Sequence, residues 1–313
     1  MATQFEIDCA LMAGLAYQSS RDKINWFPAP SGWVEFSHVP NDTYPTTLSF
    51  EASAFRNRST GEIVIAYAGT AQLTDWIANL TLGAGLSSSQ LEQAALYYLQ
   101  IKQANPTATI SFTGHSLGGG LAALMGVLFD ERAVTFDQAP FALSANALTR
   151  IGLENYLNDH GFSDSLLATL APEFISYSDD GSRNANVTGY FVQGEALQLL
   201  QPPLGVLGMQ SQLEQNSVDV GSISLHSQAL LSAFLQNDDF RAITFKLPEL
   251  LKMVFDEALY AHDTSTEKIN FLEHLIRHQS DVTGSFAADA MLDRFTSDLQ
   301  KVAQDGGFTL TNT

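Results

Sequence analysis

The chain has 313 residues, of which 45% are hydrophobic and 16% charged, and its mean hydropathy is 0.00. That composition supplies the core of one large globular domain, and with no run of eighteen apolar residues there is no spanning helix to propose. A net charge of −19, from 34 acidic and 15 basic residues, excludes a polyanion such as nucleic acid as partner, and a single cysteine, Cys9, excludes an internal disulfide.

The first twenty residues carry Glu6 and Asp8 and no basic lead, unlike a cleavable secretory leader. They read as an amphipathic helix with Cys9 packed on its apolar side. Residues 48–55 (LSFEASAF) alternate as a half-exposed strand does, and residues 62–68 (EIVIAYA) form a buried-strand run. Residues 91–104 have helical spacing and stop before Pro106. Residues 109–113 (TISFT) predict a strand, 117–129 a helix of small and apolar residues, and 133–136 (AVTF) another strand. Strand alternating with helix predicts an α/β fold, a mostly parallel sheet covered by helices on both faces. Residues 144–172 break this rhythm as a helical insertion would, and 179–186 (DDGSRNAN) read as a loop. Strand character returns at 189–193 and 220–226. Beyond Asn237 the pattern is helical, most clearly at 247–260 and 287–303. The expected organisation is a catalytic unit over 1–236, with the insertion at about 144–172, and a C-terminal helical region over 237–313.

One motif carries chemistry. Gly114-His115-Ser116-Leu117-Gly118 fits G-x-S-x-G, a nucleophile elbow. Such a turn lifts a serine hydroxyl above the carboxyl edge of a sheet and aims the first amides of the next helix at the same point. The bare pattern is weak, but a strand run before it and a small-residue helix after it are the setting it requires. His115 adjoins Ser116, so its side chain points away across the turn, and it reads as scaffold rather than base.

Two spaced blocks resemble the class 3, fungal-type lipase family of α/β-hydrolases. One is Tyr67-Ala68-Gly69-Thr70 followed by Asp75-Trp76-Ile77-Ala78-Asn79-Leu80, and the other is Gly114-His115-Ser116-Leu117-Gly118-Gly119. A looser third match is residues 192–203 (VQGEALQLLQPP). The resemblance covers about residues 50–235. It implies an α/β-hydrolase fold, hydrolysis of acyl esters, and an oxyanion hole in which Thr70 joins the backbone amide of Leu117. The chain departs from the family in having Ala68 where an arginine is usual, and glutamate where the acid is usually aspartate. A softer likeness, through the helical C-terminal part, is to lipase-like domains of bacterial repeats-in-toxin proteins.

Serine needs a base to take its proton, and the base needs an acid to orient it. Chain order in this fold runs serine, acid, histidine. Of the seven histidines, His38 and His115 precede the serine, His160 lies in the insertion, and His262, His274 and His278 fall on helical patterns. His226, after VGSISL and before SQALLSAFL, is the expected base. Glu195, after GYFVQ, is the first choice of acid, and Asp179, Asp180 and Asp137 stay open as alternatives. Asp75 reads as a helix cap. No metal site stands out: His274 and His278 are four apart but lack a third ligand. There is no phosphate loop or dinucleotide fingerprint, so no cofactor is expected.

The expected activity is a serine carboxylic-ester hydrolase, a lipase, phospholipase A or esterase, with other acyl transfers such as polyester cleavage as the variant. The substrate would be a lipid or other ester, with contact to a lipid interface. The alternative is a non-catalytic lipase-like module of a larger secreted protein. Lid candidates are residues 80–86 and the insertion. A lipid esterase free in the cytoplasm would threaten its own membranes. With the repeats-in-toxin likeness, the expectation is therefore an extracellular product whose gene continues past Thr313 into calcium-binding repeats, cytoplasmic residence being the alternative.

Overall fold

A computed structural model describes residues 2–21, 23–41, 50–69, 88–217, 219–255 and 271–279. Among these residues seven strands form one sheet in the order β1 to β7: Trp33–Val39, Ala52–Asn57, Ile63–Tyr67, Ile110–His115, Ala133–Phe136, Val187–Val192 and Met209–Leu213. The first two pairings are antiparallel, and β3 through β7 run parallel. The helices are α1 (Gln4–Leu15), α2 (Ser88–Ala104), α3 (Leu117–Phe129), α4 (Ala147–Asp159), α5 (Asp164–Leu170), α6 (Pro172–Ile175), α7 (Gln201–Leu204), α8 (Ser222–Leu225), α9 (Gln228–Gln236), α10 (Asp238–Lys246), α11 (Glu249–Val254) and α12 (Phe271–Gln279). This is the mostly parallel, helix-covered α/β sheet that the alternation of strand and helix patterns predicts.

Strand side chains alternate between two apolar cores, as a two-residue period requires. Ile63, Ile65, Tyr67, Ile110 and Phe112 pack under α2, α3 and the insertion. Val64, Ala66, Val134 and Phe136 pack under α1 and α9. The insertion anchors Leu153, Leu157, Phe162, Leu167 and Phe174 in the first core. Phe240, Leu250, Leu251, Val254, Leu272 and Ile276 of α10–α12 join the second. A capping box starts α1: Thr3 N–H donates to Glu6 Oε2 at 2.7 Å while Glu6 N–H donates back to Thr3 Oγ1. From Cys9 to Leu15 the helix is buried on every side rather than along one stripe, because it lies between the strands β3 to β5 and α9.

Three elements differ from the sequence expectation. β1 and β7 were not anticipated: a bulge between Glu35 and Ser37 breaks the alternation of β1, and β7 (MQSQL) buries only Leu213. Residues 220–226 are not a strand. They form the short helix α8, and the His226 amide closes back on the carbonyls of Ser222 and Ile223 at 3.1 and 3.2 Å. The apolar alternation of Ile223 and Leu225 fits a helical turn as well as a strand over so few residues. The 287–303 helix, the second half of 247–260, and the 80–86 lid candidate lie outside the described residues.

Candidate active site

Ser116 joins β4 to α3 with φ 58° and ψ −125°, a left-handed conformation that costs a non-glycine residue energy and holds its side chain at the apex of the turn. The turn is tied down on both sides. The Ser116 amide donates to Phe136 O at 2.9 Å, and its carbonyl accepts from Gly120 and Ala139, each at 3.0 Å. The flanking glycines leave no room for a side chain: a Cβ on Gly118 would stand 2.0 Å from Tyr67 O, and one on Gly114 2.3 Å from Gly118 O. Leu117 is the first residue of α3, so its amide has no acceptor within the helix and faces the helix's positive end. On the neighbouring strand, a Cβ at Gly69 would stand 3.2 Å from Ser116 Cβ, so the chain leaves β3 alongside the serine. Thr70, Asp75 and Trp76 lie outside the described residues.

His226 sits in the link between α8 and α9, and Glu195 follows β6 through the left-handed turn at Gly194. Both are buried. His226 Nδ1 and Glu195 Oε2 are 2.6 Å apart, and the same oxygen accepts the Leu197 amide at 2.7 Å. That carboxylate fixes the tautomer with Nδ1 protonated and Nε2 as the free acceptor. His226 Nε2 and Ser116 Oγ are both buried with no hydrogen-bond partner among the described residues.

His115, beside the serine, turns to the opposite face of the sheet from α3 and backs His226. Its Nε2 donates to His226 O at 3.0 Å, and its Nδ1 accepts from the Tyr17 hydroxyl at 3.0 Å. The two imidazoles lie 4.7 Å apart. Burial, then the neighbouring His226, hold the His115 ring well below the usual imidazole range, so it stays neutral. Burial likewise raises the Tyr17 phenol, which keeps its proton. Tyr17 is the part of this arrangement that the sequence did not reveal. It lies 98 positions from His115 and belongs to no motif.

The other candidates separate by position. Asp137, directly after β5, is fully buried near the two histidines. Asp179 and Asp180 are exposed and precede the amino end of β6, at the edge of the sheet opposite the elbow, and Asp180 caps the Ser182 amide at 2.9 Å. His38 pairs with Glu51 at 3.0 Å, and His160 bonds Tyr156 O at 2.7 Å. His262 lies outside the described residues, as do the side chains of His274 and His278. His115, Asp137 and His226 bring ligand-type atoms within 4.8 Å of one another. Both nitrogens of His115 and Nδ1 of His226 are already held in hydrogen bonds, so the group reads as an acid–base cluster.

A mostly parallel sheet with a strained serine at a strand–helix elbow, and a histidine–carboxylate pair at the same edge, is the arrangement of an α/β-hydrolase. The family comparison agrees. Residues 8–230 match the phospholipase-like family, Tle-like phospholipase domain, and the chain belongs to that family. Among curated proteins it is 32% identical over 124 residues to the extracellular phospholipase A1 of Serratia liquefaciens, across 40% of this chain and 37% of that protein. The chain thus spans little more than a third of that relative. Among solved structures it is similar to the Lip2 lipase of Yarrowia lipolytica, with 16% identity, coverage of 68% and 79% of the two chains, and TM-score 0.42. It is also similar to lipase II of Rhizopus niveus, with 16% identity, coverage of 67% and 82%, and TM-score 0.41.

Proposed function

We propose that this chain hydrolyses an acyl ester of a phospholipid or related lipid through a covalent intermediate on Ser116. The observation that carries the reading is the buried 2.6 Å contact of His226 with Glu195, at the same sheet edge as the serine elbow. Ser116 Oγ attacks the ester carbonyl while His226 Nε2 takes its proton. Glu195 holds the ring and balances the imidazolium that forms. The Leu117 amide, with Thr70 as the family resemblance implies, receives the charge on the carbonyl oxygen. Collapse expels the alcohol, which takes the proton from His226, and water activated by the same histidine then releases the fatty acid. The family favours this catalytic reading over a lipase-like module without activity.

The phospholipid assignment leans on the family description and on the Serratia relative. So does an extracellular site of action, because that relative is named as extracellular. Among the described residues no helix is long and apolar enough to cross a membrane. Residues 1–236 are read as the catalytic unit and the later helices as an extension packed on it, in keeping with their share of the second core.

The test is turnover of a p-nitrophenyl ester and release of fatty acid from phosphatidylcholine micelles. Ser116→Ala should fold with an unchanged melting temperature and lose both activities by about four orders of magnitude or more. Retention of a tenth of either activity would overturn the assignment.

A further inference from the structure

β5 and β6 each deliver a carboxylate to the catalytic edge, Asp137 directly after β5 and Glu195 three residues after β6. Asp137 is held in a left-handed conformation, φ 43°, with its amide donating to Tyr190 O at 2.8 Å. Its Oδ1 accepts the Val192 amide at 3.0 Å. Its Oδ2 is buried without a hydrogen-bond partner among the described residues, 3.6 Å from His115 Nε2. Glu195 Oε1 is buried and unpartnered in the same way. A carboxylate oxygen of Asp137 and one ring nitrogen each of His115 and His226 lie within 4.8 Å of one another. The titratable and charged groups around Asp137 are Glu195, His115, His226, Tyr17 and, through its field on His115 and Tyr17, Arg21.

Fixing a positive-φ aspartate solely to cap one amide leaves the second oxygen unexplained. Two buried carboxylates that feel each other's field do not both ionise cheaply. We propose that Asp137 is a second positioning carboxylate for His226, sharing a single negative charge with Glu195 and taking over the orientation of the imidazole when Glu195 is neutralised. In the native enzyme Glu195 carries the charge and Asp137 the proton; burial first, then the charge of Glu195, hold the Asp137 carboxyl well above the usual carboxylate range. When glutamine replaces Glu195, the Asp137 proton is released to solvent, and the charge it leaves can balance the imidazolium in the transition state.

This inference rests on the catalytic reading above, and the test separates the two. The experiment measures kcat against pH for the full chain and for S116A, E195Q, D137N and E195Q/D137N, with melting curves for each. It also records the infrared carbonyl stretch of protonated carboxyl groups at neutral pH. E195Q should fall about 100-fold in kcat and the double variant a further 100-fold, to the level of a triad without its acid. A protonated-carboxyl band present in the native chain should vanish in D137N and in E195Q. Equal kcat in E195Q and E195Q/D137N, or a band unchanged in D137N, overturns the proposal. Should D137N fail to fold, Asp137→Ser, which keeps an acceptor for the Val192 amide, takes its place in the same comparison. An active S116A would instead remove the catalytic reading itself.

Discussion

The two faces of the sheet are built from the same strands and do different work. Under α2 and α3 the strand positions are Ile63, Ile65, Tyr67, Ile110 and Phe112, and Tyr67 sends its one polar atom to Ala94 O at 3.2 Å. Under α1 and α9 the β4 positions are Ser111, Thr113 and His115, all buried. There the Thr113 hydroxyl is shared between Val134 O and Cys9 O at 2.8 and 3.2 Å. Gln228 Nε2 donates to Ala10 O at 2.7 Å, and His115 links Tyr17 to His226. An apolar face gains stability from area and packing, whereas a buried polar face gains geometry and tolerates few losses, since each orphaned group keeps its desolvation cost. The second face is therefore the one that positions the histidine, and the first is the one that holds the elbow against the sheet.

Substitutions should separate these roles. The largest effect belongs to the seam between them. Gly118→Ala would drive a methyl group to within 2.0 Å of Tyr67 O, where backbone meets backbone, so soluble expression and activity should both be lost. A folded, active G118A measured by circular dichroism and ester turnover would show that α3 sits farther from β3 than described. On the apolar face, Phe112→Ala removes a ring that stacks on Tyr67 and meets Tyr98 edge-on. Denaturant unfolding should show a loss of about 3–5 kcal/mol, with kcat near normal in whatever remains folded. A large fall in kcat at unchanged stability would erase the contrast between the faces.

On the catalytic edge, Glu195→Gln should lower kcat about 100-fold with a small change in melting temperature. Asp179→Asn and Asp180→Asn, at the far edge, should leave turnover within about twofold of the parent chain. Steady-state kinetics decide it, and a crippled D179N or D180N with a normal E195Q would move the acid elsewhere.

The smallest predicted effect is a pH slope. His115 folds with its ring held well below its ordinary value of 6.5, so the folded chain does not take the proton that the unfolded chain accepts there. Its contribution to stability is complete above about pH 6.5 and is lost as pH falls below that value toward its folded pKa. The melting temperature should drop over that window, and less steeply in His115→Gln, whose amide can still donate to His226 O. Parallel curves for the two proteins would mean that His115 is not a neutral buried strut.

How much of this the sequence disclosed follows the same division. The apolar face was legible, because uninterrupted runs such as EIVIAYA and LGGGLAALMGVLF state burial directly, and α3 and β5 fall on the predicted residues. The elbow was legible because its residues are contiguous and Gly114 is forced by Gly118 four positions on, although Gly118 itself is forced by Tyr67 on the distant strand β3. β7 was hidden: its ladder to β6 is backbone work, and the absent side chain of Gly189 is what admits Gln210. Chain order singled out His226, which the fold places 2.6 Å from Glu195, but the strand expected before it is a helical turn. The Tyr17 bond to His115 spans 98 positions, and Asp137 meets His226 from a distant part of the chain, which no local pattern encodes.

The central claim is that Ser116 is a nucleophile activated by His226. Incubation with a fluorophosphonate, followed by peptide mass analysis, tests it directly. A single adduct should form on Ser116, disappear in Ser116→Ala and in denatured protein, and form at least about a thousandfold more slowly in His226→Ala. An adduct elsewhere, or labelling of Ser116 at the same rate without His226, would contradict the account.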